Sequence, residues 1–106
     1  MIFVNNNITF KLGKNAKQNF ELIDLASDNY WWFHIDCMPS GHCIVETDIL
    51  DREMIIFASN LVKEHSKSKD SKNVKIIYTQ IKNIKKTKIL GQVIIQNNKI
   101  TKSITI

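Results

Sequence analysis

Short apolar runs separated by turn-forming residues constrain this chain more than any other feature. Residues 2–4 and 8–12 flank Asn5-Asn6-Asn7, and residues 31–35 and 43–46 flank Pro39-Ser40-Gly41. Asparagine tolerates positive φ, so the first gap predicts a hairpin turn. Asn97-Asn98, between residues 93–95 and 100–106, predicts another. There Thr101, Ser103 and Thr105 alternate with Ile100, Lys102, Ile104 and Ile106. Connections this short cannot carry the crossover that parallel pairing needs, so the sheet is expected to be largely antiparallel.

Two longer stretches break the strand pattern. The first starts at Asn15, a strong N-cap with Gln18 three residues on as its capping-box partner. Ala16, Asn19, Phe20, Ile23 and Ala26 then fall on one side, joined by Leu22 and Leu25. The second is expected to start after Thr47 or Asp48. Its stripe is Leu50, Met54, Phe57 and Leu61, widened by Ile55, Ala58 and Val62. It should fade near His65-Ser66, where a cationic imidazole suits a helix C-terminus. After the polar loop of residues 66–73, residues 74–79 read as a strand leading into a basic loop. The predicted order is β-β-α-β-β-α-β-β-β, an α+β domain with both helices on one side of the sheet.

A chain of 106 residues with 43% hydrophobic side chains is one domain with one modest core. No segment approaches 18 consecutive apolar residues, so no membrane insertion is expected. The N-terminus reads as a strand rather than a secretory signal. Cys37 and Cys43 are too few for a disulfide scaffold, and reduced thiols in a cytoplasmic protein are the expectation, although a bridge across the turn is conceivable.

The net charge of +5 is unevenly spread. Residues 1–60 carry −4, and residues 61–106 carry +9, with eleven lysines against Glu64 and Asp70. A one-sided basic half is the electrostatic footprint of a nucleic-acid binder. An AT-rich genome also favours lysine over arginine, here fourteen to one. It does not account for the scarcity of acids after Asp70, since their codons are not GC-rich.

Several residues could carry binding. Gly13-Lys14-Asn15 allows close backbone approach at a helix start, where free N–H groups attract anions, and Lys14 and Lys17 flank it. Asn19 lies one turn further along the same polar edge. An ordinary capped helix with surface lysines fits the same residues. Alternation along Trp31-Trp32-Phe33-His34 puts Trp32 and His34 on one strand face, a stacking platform for a base if that face is open and core if it is covered. His42 opens the next strand and can approach His34 across a hairpin. The run Lys82-Asn83-Ile84-Lys85-Lys86-Thr87-Lys88 follows Tyr78 and suits phosphate contacts, or is simply a solvated loop.

Catalytic and metal readings are weaker. His42 and Cys43 are strand neighbours that point to opposite faces, so with His34 and Cys37 they do not make a tetrahedral metal site. No Gly-rich oxyanion loop supports a Cys–His nucleophile. Glu46, Asp48, Asp51 and Glu53 gather at a helix start, where acids suit the dipole. No cofactor or metal is expected.

In order and spacing, Gly13-Lys14-Asn15-Ala16-Lys17-Gln18-Asn19, Trp31-Trp32-Phe33-His34 and Pro39-Ser40-Gly41-His42 resemble the NFACT-R domain. That domain is the RNA-binding module of NFACT proteins, which act on stalled large ribosomal subunits. Trp32-Phe33-His34-Ile35-Asp36 and Asn83-Ile84-Lys85-Lys86-Thr87 are most similar to the branch found in a smaller eukaryotic coiled-coil protein. The resemblance runs from about Phe10 to about Gln96. Relatives carry a serine where Gly41 stands; here the serine is shifted to Ser40.

The resemblance implies a stand-alone, non-catalytic RNA-binding domain whose partners are tRNA or ribosomal RNA, with the large ribosomal subunit as a further expected partner. Its expected contacts are Lys14, Asn15, Lys17, Asn19, Trp32, His34, His42, Tyr78, Lys82, Lys85, Lys86 and Lys88. The alternatives are a protein-interaction or decoy module that mimics such a domain, and an RNA-processing enzyme using the two histidines.

Overall fold

The computed structural model describes residues 1–96 and 100–106. Strand β1 (Ile2–Asn5) returns as β2 (Ile8–Leu12) through Asn6 and Asn7, both at positive φ (51° and 65°). Helix α1 (Ala16–Leu25) starts as its capping pattern predicts. Asn15 Oδ1 accepts the Gln18 N–H at 2.9 Å, and Gln18 Oε1 accepts the Lys14 N–H at 2.7 Å. Strands β3 (Trp31–Ile35) and β4 (Cys43–Val45) form an antiparallel pair, with Phe33 opposite Cys43.

Helix α2 (Arg52–Glu64) begins later than expected. The Thr47 hydroxyl accepts the Ile49 N–H and closes a local turn instead. The cap is Asp51, whose Oδ1 accepts the Met54 N–H at 2.8 Å. At the far end the His65 ring donates from Nδ1 to the Leu61 carbonyl at 2.9 Å. Strands β5 (Lys75–Gln80) and β8 (Lys102–Thr105) complete a six-stranded antiparallel sheet in the order β1-β2-β4-β3-β5-β8. The architecture is α+β, as expected. Among the described residues no helix is long and apolar enough to cross a membrane.

Two expectations about the C-terminal part need correction. The basic run is not only a loop: after a short 3-10 turn, residues Ile84–Lys86 form β6, which pairs with β7 (Val93–Ile95) in a separate two-stranded sheet. Strand β8 pairs with β5 rather than β7, so these two strands do not form the expected hairpin. The Asn97-Asn98 turn lies outside the described residues.

The helices also do not share a side. Ala58, Leu61 and Val62 of α2 pack against Phe10, Phe33, Val45, Ile76 and Tyr78. On the opposite face, Leu22 and Ile23 of α1, its C-cap Ala26, and Val93 and Ile95 of β7 cover Trp32, Ile44, Ile81 and Ile84. The physical reason is that β3 and β4 are apolar on both faces. One layer of helices would leave Trp32 and Ile44 in water, so the chain covers each face separately. Leu25, expected on the packed side of α1, is exposed.

Candidate nucleic-acid interface

On the α1 face, the sheet, the helix start and β7 enclose a cleft of about 970 Å³. The start of α1 contributes Lys14, Asn15 and Asn19, the β3–β4 connection contributes residues 37–42, and Leu90 to Ile95 form the facing wall. Trp32, His34 and Ile77 lie at its floor.

Glycines let these parts meet. Gly13 N–H donates to the His42 carbonyl at 3.0 Å. A Cβ on Gly41 would lie 2.6 Å from the Gly13 carbonyl oxygen, and one on Gly13 would lie 1.8 Å from Asn19 Oδ1. That Asn19 oxygen accepts the His42 N–H at 3.2 Å, so the buried asparagine ties α1 to the first residue before β4. Asn19 is therefore a structural joint and not the open polar edge that its helical spacing suggested. Ser40 is used inside the turn: its hydroxyl accepts the Ile35 N–H and donates to the Gly41 carbonyl.

The floor is an aromatic stack. The Trp32 and His34 rings lie 5.6 Å apart and nearly parallel, and His42 stands edge-on to both, 5.0 Å from His34. His34 Nδ1–H donates to the Ile35 carbonyl at 2.5 Å. Burial lowers the His34 pKa, against that hydrogen bond and the Asp36 charge, which both raise it. His42 is lowered further, to about 3, by burial and by the neighbouring His34. Both rings are therefore neutral at pH 7.

Of the residues singled out from sequence, Lys14, Asn15, Asn19, Trp32, His34 and His42 come together in this cleft. Others do not. Trp32 is only 2% exposed, because α1 and β7 cover it, so it is no open platform whose face could receive a base. Tyr78 belongs to the other face of the sheet, buried and stacked on Phe33 at 4.8 Å. Lys86 pairs with Asp24 and sits over the Phe20 ring at 5.2 Å, held to α1. Lys17 pairs weakly with Glu21 at 4.0 Å. The backbone N–H of Lys82 donates to the Asp28 carbonyl, beyond the C-terminal end of α1. Lys85 stands opposite Ile94, a residue of the cleft wall, whereas Lys88 is exposed in the β6–β7 connection and does not line the cleft.

Sequence reasoning missed Lys67, Met38, Leu90 and Gly91, which also line the cleft. Only Gly91 carries a local signal. It has φ +82°, and a Cβ there would lie 2.7 Å from Ala16 Cβ, so a lone glycine before a strand marked the contact between the β6–β7 connection and α1. Cys43, by contrast, is buried on the α2 side with its thiol pushed up to about 12 by burial, and Cys37 is exposed; both are free.

The fold matches the solved C-terminal part of the fibronectin/fibrinogen-binding protein of Streptococcus suis. The TM-score is 0.88 at 22% identity, covering 99% of this chain and 43% of that one. In sequence, the chain is 32% identical over 80 residues to the Rqc2 homolog RqcH of Bacillus subtilis, covering 74% of this chain and 14% of that protein. It is 31% identical over 86 residues to coiled-coil domain-containing protein 25 of Danio rerio, covering 74% and 42%. With the Bos taurus form it shares 28% over 107 residues, covering 92% and 51%. The chain thus spans about half or less of the curated relatives it matches. A family model, the NFACT protein RNA binding domain, matches residues 2–97. This chain belongs to that family, and membership supports a nucleic-acid-binding role.

Proposed function

We propose that this domain binds RNA without catalysis, and that tRNA or ribosomal RNA on the large subunit is its target in the cytoplasm. The observation that carries this reading is the convergence of a capped helix start, Lys14 and Lys67 on one aromatic-floored cleft. Free N–H groups at the α1 start and the two ammonium groups suit phosphate, while Lys85 extends the positive surface past the wall. The buried high-pKa thiol of Cys43 and the neutral histidines, His34 bonded to the Ile35 carbonyl, supply no activated nucleophile, which favours binding over turnover.

The test is a salt titration with single-stranded and structured RNA. Contact with three to five phosphates gives a log–log slope of roughly −2 to −3.5 for single strands. Lys14→Gln with Lys67→Gln should weaken binding and flatten the slope while leaving Tm nearly unchanged. Binding that ignores salt, or a double variant that binds like the parent, would refute the assignment. Exposed Ile89, Leu90 and Ile94 beside the cleft favour one competing reading, a protein-interaction module. Salt-independent capture of a protein partner through these side chains would replace the RNA assignment.

A further inference from the structure

Among the described residues, four buried side-chain polar atoms have no hydrogen-bond partner, and two of them, Trp32 Nε1 and His42 Nδ1, belong to residues of the cleft floor. Both residues are 2% exposed, and their rings meet edge-on at 5.6 Å. Buried polar groups are almost always paired; the His42 ring also has the Gly91 backbone against it, so the Trp32 N–H is the group that calls for a ligand or an ordered solvent molecule.

The chemistry of the floor restricts what can satisfy it. An indole N–H is a donor only and needs an acceptor. His34 spends its Nδ1–H on the Ile35 carbonyl, so the neutral ring carries its acceptor on Nε2, with the Ser40 backbone also against the ring. The stacked Trp32 and His34 rings of the floor therefore carry an uncharged donor, closed off in this conformation, and an uncharged acceptor. Phosphate carries no donor and prefers cations, so it suits the rim at Lys14 and Lys67. The edge of a nucleobase has both an N–H and an acceptor, on a flat ring that apolar walls such as Ile77, Pro39 and Ile95 can hold.

We infer that the cleft takes one unstacked nucleobase, its edge bonded to Trp32 and His34 and its phosphate at the start of α1. This rests on the nucleic-acid reading above and adds to it a seat for a base, not merely for charge.

The experiment compares a single-stranded oligoribonucleotide with one of equal length and charge whose bases are removed. Wild type should bind the intact strand about tenfold or more tightly than the abasic one, the order of a single base contact. Trp32→Phe keeps an aromatic ring at the floor and removes the orphan donor. His34→Leu removes the acceptor. Each should lower intact-strand affinity toward the abasic level without changing the salt slope. Each variant is compared at a temperature where its melting curve shows it folded, since the smaller phenylalanine ring of Trp32→Phe leaves a gap in the covered floor. Lys14→Gln should weaken both strands equally. Equal binding of the two strands by wild type overturns the base seat and leaves the RNA reading standing. So does a folded Trp32→Phe that binds like wild type, which would assign the Trp32 N–H to ordered solvent. No binding of either strand removes the nucleic-acid reading itself.

Discussion

Gly13→Ala offers the sharpest test of how the cleft is built. The added methyl would stand 1.8 Å from Asn19 Oδ1 and 2.9 Å from its Cγ. The asparagine cannot simply swing away, because it is 6% exposed and its oxygen holds the His42 N–H at 3.2 Å. Displacing it leaves that buried N–H unpaired, at about 1–3 kcal/mol, and overpacks the joint, at about another 1–3 kcal/mol. The expected loss is therefore about 2–6 kcal/mol, a large share of the stability of a domain this size. Urea unfolding followed by tryptophan fluorescence reads it directly. Asn19→Ala removes the clashing atoms, leaving only a 3.2 Å approach to the Asn19 Cα. In that background the glycine substitution should cost less than about 1 kcal/mol, so the two changes should be strongly non-additive. A Gly13→Ala protein as stable as its parent, or costs that add, would refute the account.

Asn15→Ala should cost about 0.5–2 kcal/mol as a lost helix cap, measurable by chemical denaturation. Tyr78→Ala should cost about 3–5 kcal/mol of stability but leave the RNA affinity of the folded protein intact, because the ring packs on the α2 face; a specific binding defect would contradict that placement. The buried His42 also makes stability pH-dependent. Its folded pKa, about 3, lies below the ordinary 6.5, so its contribution is complete above 6.5 and is lost as pH falls from there toward 3. At pH 5 the loss from this group is about 2 kcal/mol, and His42→Phe should shrink it; an equal acid loss in that variant would point to other groups.

The parts legible in sequence are those made by neighbours along the chain. The Asn6-Asn7 turn, the Asn15–Gln18 cap and the antiparallel pairing of β1–β2 and β3–β4 all rest on local hydrogen bonds and backbone preferences. The family blocks contain Lys14, Asn15, Asn19, Trp32, His34 and His42 of the cleft, but not its wall of residues 90–95 or Lys67. Alternation correctly grouped Trp32 with His34 and separated them from Phe33. It could not say what covers each face, since a two-residue period carries no information about the layer above it. Long-range packing alone decided that α1 and α2 lie on opposite faces, that Trp32 is covered and that Tyr78 points away from the cleft. It likewise turned Lys86 toward Asp24, made Asn19 a joint rather than an edge, and brought Lys67 and Gly91 to the same opening. These contacts join residues tens of positions apart, and both faces of the central strands had apolar area to bury. Only the folded chain settles which distant segment covers which face.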